Sequence, residues 1–129
     1  MTDSSQSPIF VKTEVFMKWL FEHTRKFPKS ERFRLAKQID DAMFAFHAAI
    51  LAAAHRPTQA REYLLQADLE LSKLRAYLRL AMEMRHTAHN QFGFASQQTA
   101  ELGKLLGGWL KTVPNRERSI QASSGGNPA

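Results

Sequence analysis

Apolar residues along the chain recur at three- and four-residue intervals rather than alternating, the period of helices packed on one face. The pattern breaks at Pro28, at Pro57 and in the NQFGF segment around Gly93, and each interval left between is long enough for several helical turns. Four helices are predicted. The first covers residues 9–26, with Phe16, Met17 and Leu20 on one side and Glu14, Lys18 and Glu22 on the other. The second opens with Ser30 as N-cap and aligns Leu35, Ile39, Met43, Phe46, Ile50 and Ala53, with Arg34, Lys37 and Asp41 opposite. Its alanine-rich end, AFHAAILAAA, predicts close packing. The third starts after Pro57 with Thr58 as cap and extends to about His86; the fourth begins near Ser96 and stacks Leu102, Leu105, Leu106, Trp109 and Val113. Short connections favour antiparallel neighbours, so the expected fold is an all-α, up-down-up-down four-helix bundle over residues 9–113. The ends, 1–8 and 114–129, are rich in Ser, Gly and Pro and read as flexible.

The third helix has two apolar sides. Leu64, Ala67, Leu71, Leu74, Leu78 and Ala81 form one stripe, and Leu65, Leu69, Ala76 and Leu80 form a second about half a turn away. One core absorbs one stripe, so the second needs either a flanking helix or another copy of the protein. Between the stripes run Arg61, Asp68, Ser72, Arg75 and Arg79. Arg75 and Arg79, one turn apart, can reach a single anionic group; alternatively they pair with Asp68 or with acids across an interface.

Charge adds a preference for anionic partners. Eighteen Lys and Arg against twelve Asp and Glu give a formal charge of +6, which favours association with nucleic acid. The chain has no cysteine, which excludes disulfides and thiolate chemistry and fits a reducing cytoplasm. No targeting segment or membrane-spanning run is legible.

Catalytic chemistry finds little support. Asp40 and Asp41 are adjacent and project about 100° apart on a helix, which is wrong for a paired acid and base. His86 and His89 lack the carboxylate of a metalloprotease motif and fall where the third helix gives way to a loop, and His47 lies beside an apolar stripe as a packing histidine would. No enzyme, metal or cofactor is expected. The glycines of LGKLLGGWLK, at 102–111, do not form a phosphate loop, because that loop needs a preceding strand and a lysine after its last glycine. On a helix, Gly103 and Gly107 lie off the leucine stripe and predict close approach of a neighbouring helix.

In combination, LSKLRAYLRLA at 71–81, LGKLLGGWLK at 102–111 and the helix-two pattern RFRLAKQIDDAMFAFHAAILAA resemble the accessory variability determinant family of diversity-generating retroelements. The superfamily also includes four-helix proteins encoded in intervening sequences of bacterial 23S ribosomal RNA genes. The resemblance covers residues 27–111. It implies antiparallel bundles assembled into a barrel-like homopentamer with a basic surface and no active site, which binds RNA or cDNA and a reverse transcriptase during mutagenic homing. The motif positions it carries are Arg75 and Arg79 for binding, and Gly103, Gly107, Gly108 and Trp109 for packing. Leu65, Leu69 and Leu80 are the candidate subunit contacts. Arg61, Lys26, Lys29, Arg32, Arg34, Lys37 and Arg56 are further candidates for the same basic surface. The alternative is a structural or protein-interaction bundle of the intervening-sequence type, in which the charge is incidental.

Overall fold

In a computed structural model, residues 7–114 of the protein are described, and the expectation of flexible ends falls almost entirely outside them. Four helices follow in order: α1 (Pro8–Arg25), α2 (Leu35–His55), α3 (Ala60–Glu83) and α4 (His89–Thr112), with no strand among the described residues. Each packs on its neighbour in sequence, and α1 also touches α4, which closes the bundle. The up-down order therefore brings the α1–α2 and α3–α4 connections to one end.

The core follows the predicted stripes. Leu20, Ile39, Met43, Phe46, Ile50, Leu64, Leu74, Leu78, Leu102 and Leu106 are all essentially inaccessible to water. The closest pair is α2 with α3, where Ala42, Ala49 and Ala53 of one helix and Ala60, Ala67 and Ala81 of the other are buried. Small side chains allow the two backbones to approach, as the alanine-rich end of α2 predicts.

Three helix starts differ from the sequence expectation, each for a local reason. α2 begins at Leu35, not after Ser30, because Lys29–Glu31 forms a 3₁₀ turn and Arg34 is held in a non-helical conformation. A second 3₁₀ turn, Pro57–Gln59, takes up the Thr58 position, and α3 begins at Ala60. α4 begins seven residues before Ser96 and runs through Gly93. A helical glycine costs only about 1 kcal/mol relative to alanine. Here that cost is offset by the Phe94 ring, 4.8 Å from the ring of Trp19, and by the Ala88 N–H, which donates to Gln91 Oε1 at 2.9 Å.

The glycines of α4 also differ from expectation. A Cβ added at Gly103 would meet Leu71 Cδ2 at 3.6 Å, an ordinary contact, and additions at Gly107 and Gly108 would meet nothing within 4 Å. No neighbouring backbone within the protomer requires them. Trp109, by contrast, does pack, edge-on to Phe10 at 6.1 Å.

α3 ends in a left-handed cap made by a residue other than glycine. Arg85 has φ 66°, His86 N–H donates to Ala81 O at 2.8 Å, and Arg85 N–H donates to Met82 O at 3.0 Å. This double bond pattern satisfies the last carbonyls of the helix, although an arginine in the left-handed region gives up about 1 kcal/mol that glycine would not. The reversal carries His86 and Thr87 back over the end of the bundle.

Candidate nucleic-acid interface

The two stripes of α3 have opposite fates. Leu64, Leu71, Leu74 and Leu78 are buried, whereas Leu65 is 48% exposed, Leu69 58% and Leu80 42%. No fourth-helix flank covers the second stripe, because α2 and α4 already occupy the sides of α3. Leu71, one turn before Arg75, faces Gly103 of α4, so the arginine seam runs along the α4 side of α3. Arg75 and Arg79 are exposed, with their Cα atoms about 6 Å apart along the axis. Neither forms an ion pair with a described residue, and neither does Asp68. Neutralisation by Asp68 within the protomer is thus not realised.

A second concentration of charge lies at the end of the bundle. Residues 25–34 carry five basic side chains and one acidic one, so the α1–α2 connection is locally strongly positive. Lys26, Lys29 and Arg32 are exposed and form no ion pair among the described residues. Arg34 is committed to Glu31, at 2.7 Å, and Lys37 to Asp41. Arg85 joins this end through the α3–α4 connection. Arg56 and Arg61 sit at the opposite end, and Arg61 lies about 27 Å along α3 from Arg79. The predicted basic residues therefore do not all lie at one end of the bundle.

Beneath the positive end is a polar and aromatic layer that sequence reasoning did not find. Glu31 is buried and is held by Arg34 Nε at 3.0 Å and Nη2 at 2.7 Å, with His86 Nε2 at 3.3 Å from its carboxylate. The Arg34 hydrogen bond, aided by His86 and opposed by desolvation, holds the Glu31 carboxyl below the usual range. His86 is partly buried, not solvated as expected, and its ring tilts over Phe27 with centroids 5.6 Å apart. His23 is buried, stacks on Trp19 at 4.9 Å and meets Thr87 Oγ1 at 2.8 Å. Burial pushes its imidazole below the ordinary value, and Lys26 adds to that shift. No single-segment signal marks these residues, since Glu31 and His86 are 55 positions apart and His23 and Thr87 are 64 apart. An isolated acid inside FPKSERFR reads locally as a solvated loop residue.

His47 meets a carboxylate as well as the apolar stripe, lying 3.2 Å from Glu14, and His89 is an exposed first residue of α4. Among the described residues no group of three or more potential ligands is placed to hold a metal, and no helix is long and apolar enough to cross a membrane. The arrangement offers cations that are unpaired among the described residues, beside an exposed leucine ridge and at a positive bundle end. A family model described as bAvd-like matches residues 9–113, from the first turn of α1 to just past α4. No curated protein matches the chain.

Proposed function

The chain belongs to the bAvd-like family, and from that premise we propose that it is a non-enzymatic accessory protein of a diversity-generating retroelement. In the cytoplasm it binds RNA or cDNA and the element's reverse transcriptase through its basic surface, and so supports template-directed cDNA synthesis in mutagenic homing. It works as a homo-oligomer, a pentameric ring by family resemblance, and needs no cofactor. The observation that carries this reading is the pair of exposed guanidinium groups on Arg75 and Arg79, without an ion pair among the described residues, beside the exposed ridge of Leu65, Leu69 and Leu80. Planar guanidinium groups without an internal carboxylate are suited to bidentate contact with phosphate, and such contacts position a nucleic acid without reading its sequence. The leucine ridge supports self-association, since a contiguous apolar surface in water favours a partner.

Reconstitution with a reverse transcriptase of such a retroelement and its template RNA tests the reading. The wild-type chain is expected to co-purify with the polymerase and to raise cDNA yield; the Arg75→Ala/Arg79→Ala variant should lose much of that effect with its helix content unchanged. A wild-type chain that neither co-purifies nor changes cDNA yield would contradict the assignment.

A further inference from the structure

At the positive end, between α1 and α2, lies a cleft of about 310 Å³ lined by Phe21, Thr24, Phe27, Asp40, Arg25 and Arg32. Its size is at the lower end of the range of about 300–1,000 Å³ typical of small-ligand sites. Two of its lining residues are aromatic and each packs on further rings. Phe21 stacks on Phe44 with centroids 4.6 Å apart, and Phe27 is flanked by the rings of His23 at 5.3 Å and His86 at 5.6 Å.

Asp40 supplies the acceptor. The buried Thr24 hydroxyl donates to Asp40 Oδ1 at 2.8 Å, which fixes the carboxylate, and no cation among the described residues pairs with it. A carboxylate has about four lone-pair sites, so both oxygens retain capacity for further N–H donors. Burial pushes the Asp40 carboxyl up, against the Thr24 hydrogen bond and with help from Asp41. A donor group entering the cleft would relieve that desolvation. The mouth is cationic, because Arg32 is exposed and unpaired among the described residues and Arg25, although tied to Glu22, stands beside it.

We propose that this cleft takes one unstacked guanine of a single-stranded nucleic acid, with the base between the phenylalanines, its N1–H and N2 amino group on Asp40, and an adjacent phosphate on Arg32. Of the four bases, guanine alone presents two neighbouring donors on its Watson–Crick edge; adenine and cytosine place an acceptor nitrogen there, which a carboxylate repels. Aromatic stacking of splayed bases with edge hydrogen bonds is the usual means of reading single strands. The inference rests on the nucleic-acid reading above and adds a base preference to a surface that otherwise holds only phosphates.

The test uses the full chain and short uridine-rich RNAs carrying a single guanine, inosine or adenine, followed by fluorescence anisotropy. Inosine lacks the N2 amino group, so wild-type affinity should fall about tenfold from guanine to inosine, and adenine should bind no better than inosine. Asp40→Asn should abolish the guanine preference while leaving the adenine RNA unaffected, and Arg32→Ala should weaken all three. Equal wild-type affinity for the three RNAs would overturn the guanine site while leaving phosphate binding intact, and this comparison needs no variant to fold. A guanine preference that survives Asp40→Asn would also overturn it. If none of the RNAs binds, the nucleic-acid reading fails and the cleft assignment fails with it.

Discussion

Two faces of the same helix, α3, carry the same residue type to opposite ends. Leu74 and Leu78 on the inner face are 0% and 1% exposed, whereas Leu65 and Leu69, on the outer face, are 48% and 58% exposed. The inner leucines each gain about 1.5–3 kcal/mol from leaving water. The outer ones, left about half exposed, gain only part of that from the fold of one protomer. Helical periodicity marks both stripes as apolar, but the number of helices available decides which is core. Once α1 meets α4 the bundle is closed, and among the described residues no further helix remains to cover the outer ridge.

The largest expected effect comes from the inner face. Leu74→Ala should cost about 2–5 kcal/mol in urea unfolding, through lost transfer energy and the cavity left behind. Leu69→Ala, measured at concentrations where the protein is dissociated, should fall within about 0.5 kcal/mol of wild type. Equal costs at the two positions would break the contrast between the faces.

The next effect is on assembly. Replacing Leu65, Leu69 and Leu80 together by Ser should leave helix content intact and reduce the mass seen by light scattering toward the 14.7 kDa of one chain. A wild-type chain that is already monomeric, or a variant that stays assembled, would remove the outer ridge from any subunit interface.

A smaller change is expected from the arginine seam. Arg75→Ala/Arg79→Ala should lower the slope of log affinity for RNA against log salt by about 1 per lost phosphate contact, with no change in urea stability. A loss of folding instead would mean that the two arginines hold the bundle together.

The smallest effect separates buried from exposed polar groups. His23 is neutral and buried, with its imidazole held below the ordinary value of 6.5 by burial and then by Lys26. The unfolded chain therefore binds a proton there before the folded one does, and stability, complete above about pH 6.5, should decline as pH falls below it. Urea midpoints at pH 7.5 and 5.5 measure the loss, and His23→Gln should flatten the difference between them. At lower pH the Glu31 carboxyl, held below its usual range chiefly by Arg34, adds a loss in the same direction.

Much of the fold was legible because it depends on local period. The buried faces of α2 and α3 contain the residues predicted for them, and the alanine-rich end of α2 does meet α3 closely. Helix starts were less legible. Gly93 looks like a breaker until Phe94 is seen against Trp19, and Ser30 looks like a cap until Glu31 is seen turned inward to His86. The site divides in the same way. That Arg75 and Arg79 share a face follows from spacing, whereas the layer joining Glu31, His86, His23 and Thr87 depends on contacts between opposite ends of the chain. A helical glycine permits close approach without requiring it, and within the protomer only Leu71 comes near Gly103.

The most direct measurement of the central claim is the affinity of the wild-type chain for labelled RNA between about 50 and 200 mM salt, the interval over which phosphate-based binding loses the most. Binding that is clear at about 100 mM and falls linearly on a log–log plot is expected of unpaired cations releasing counterions. No binding at about 100 mM salt, or an affinity that does not respond to salt, would contradict a nucleic-acid role for the basic surface.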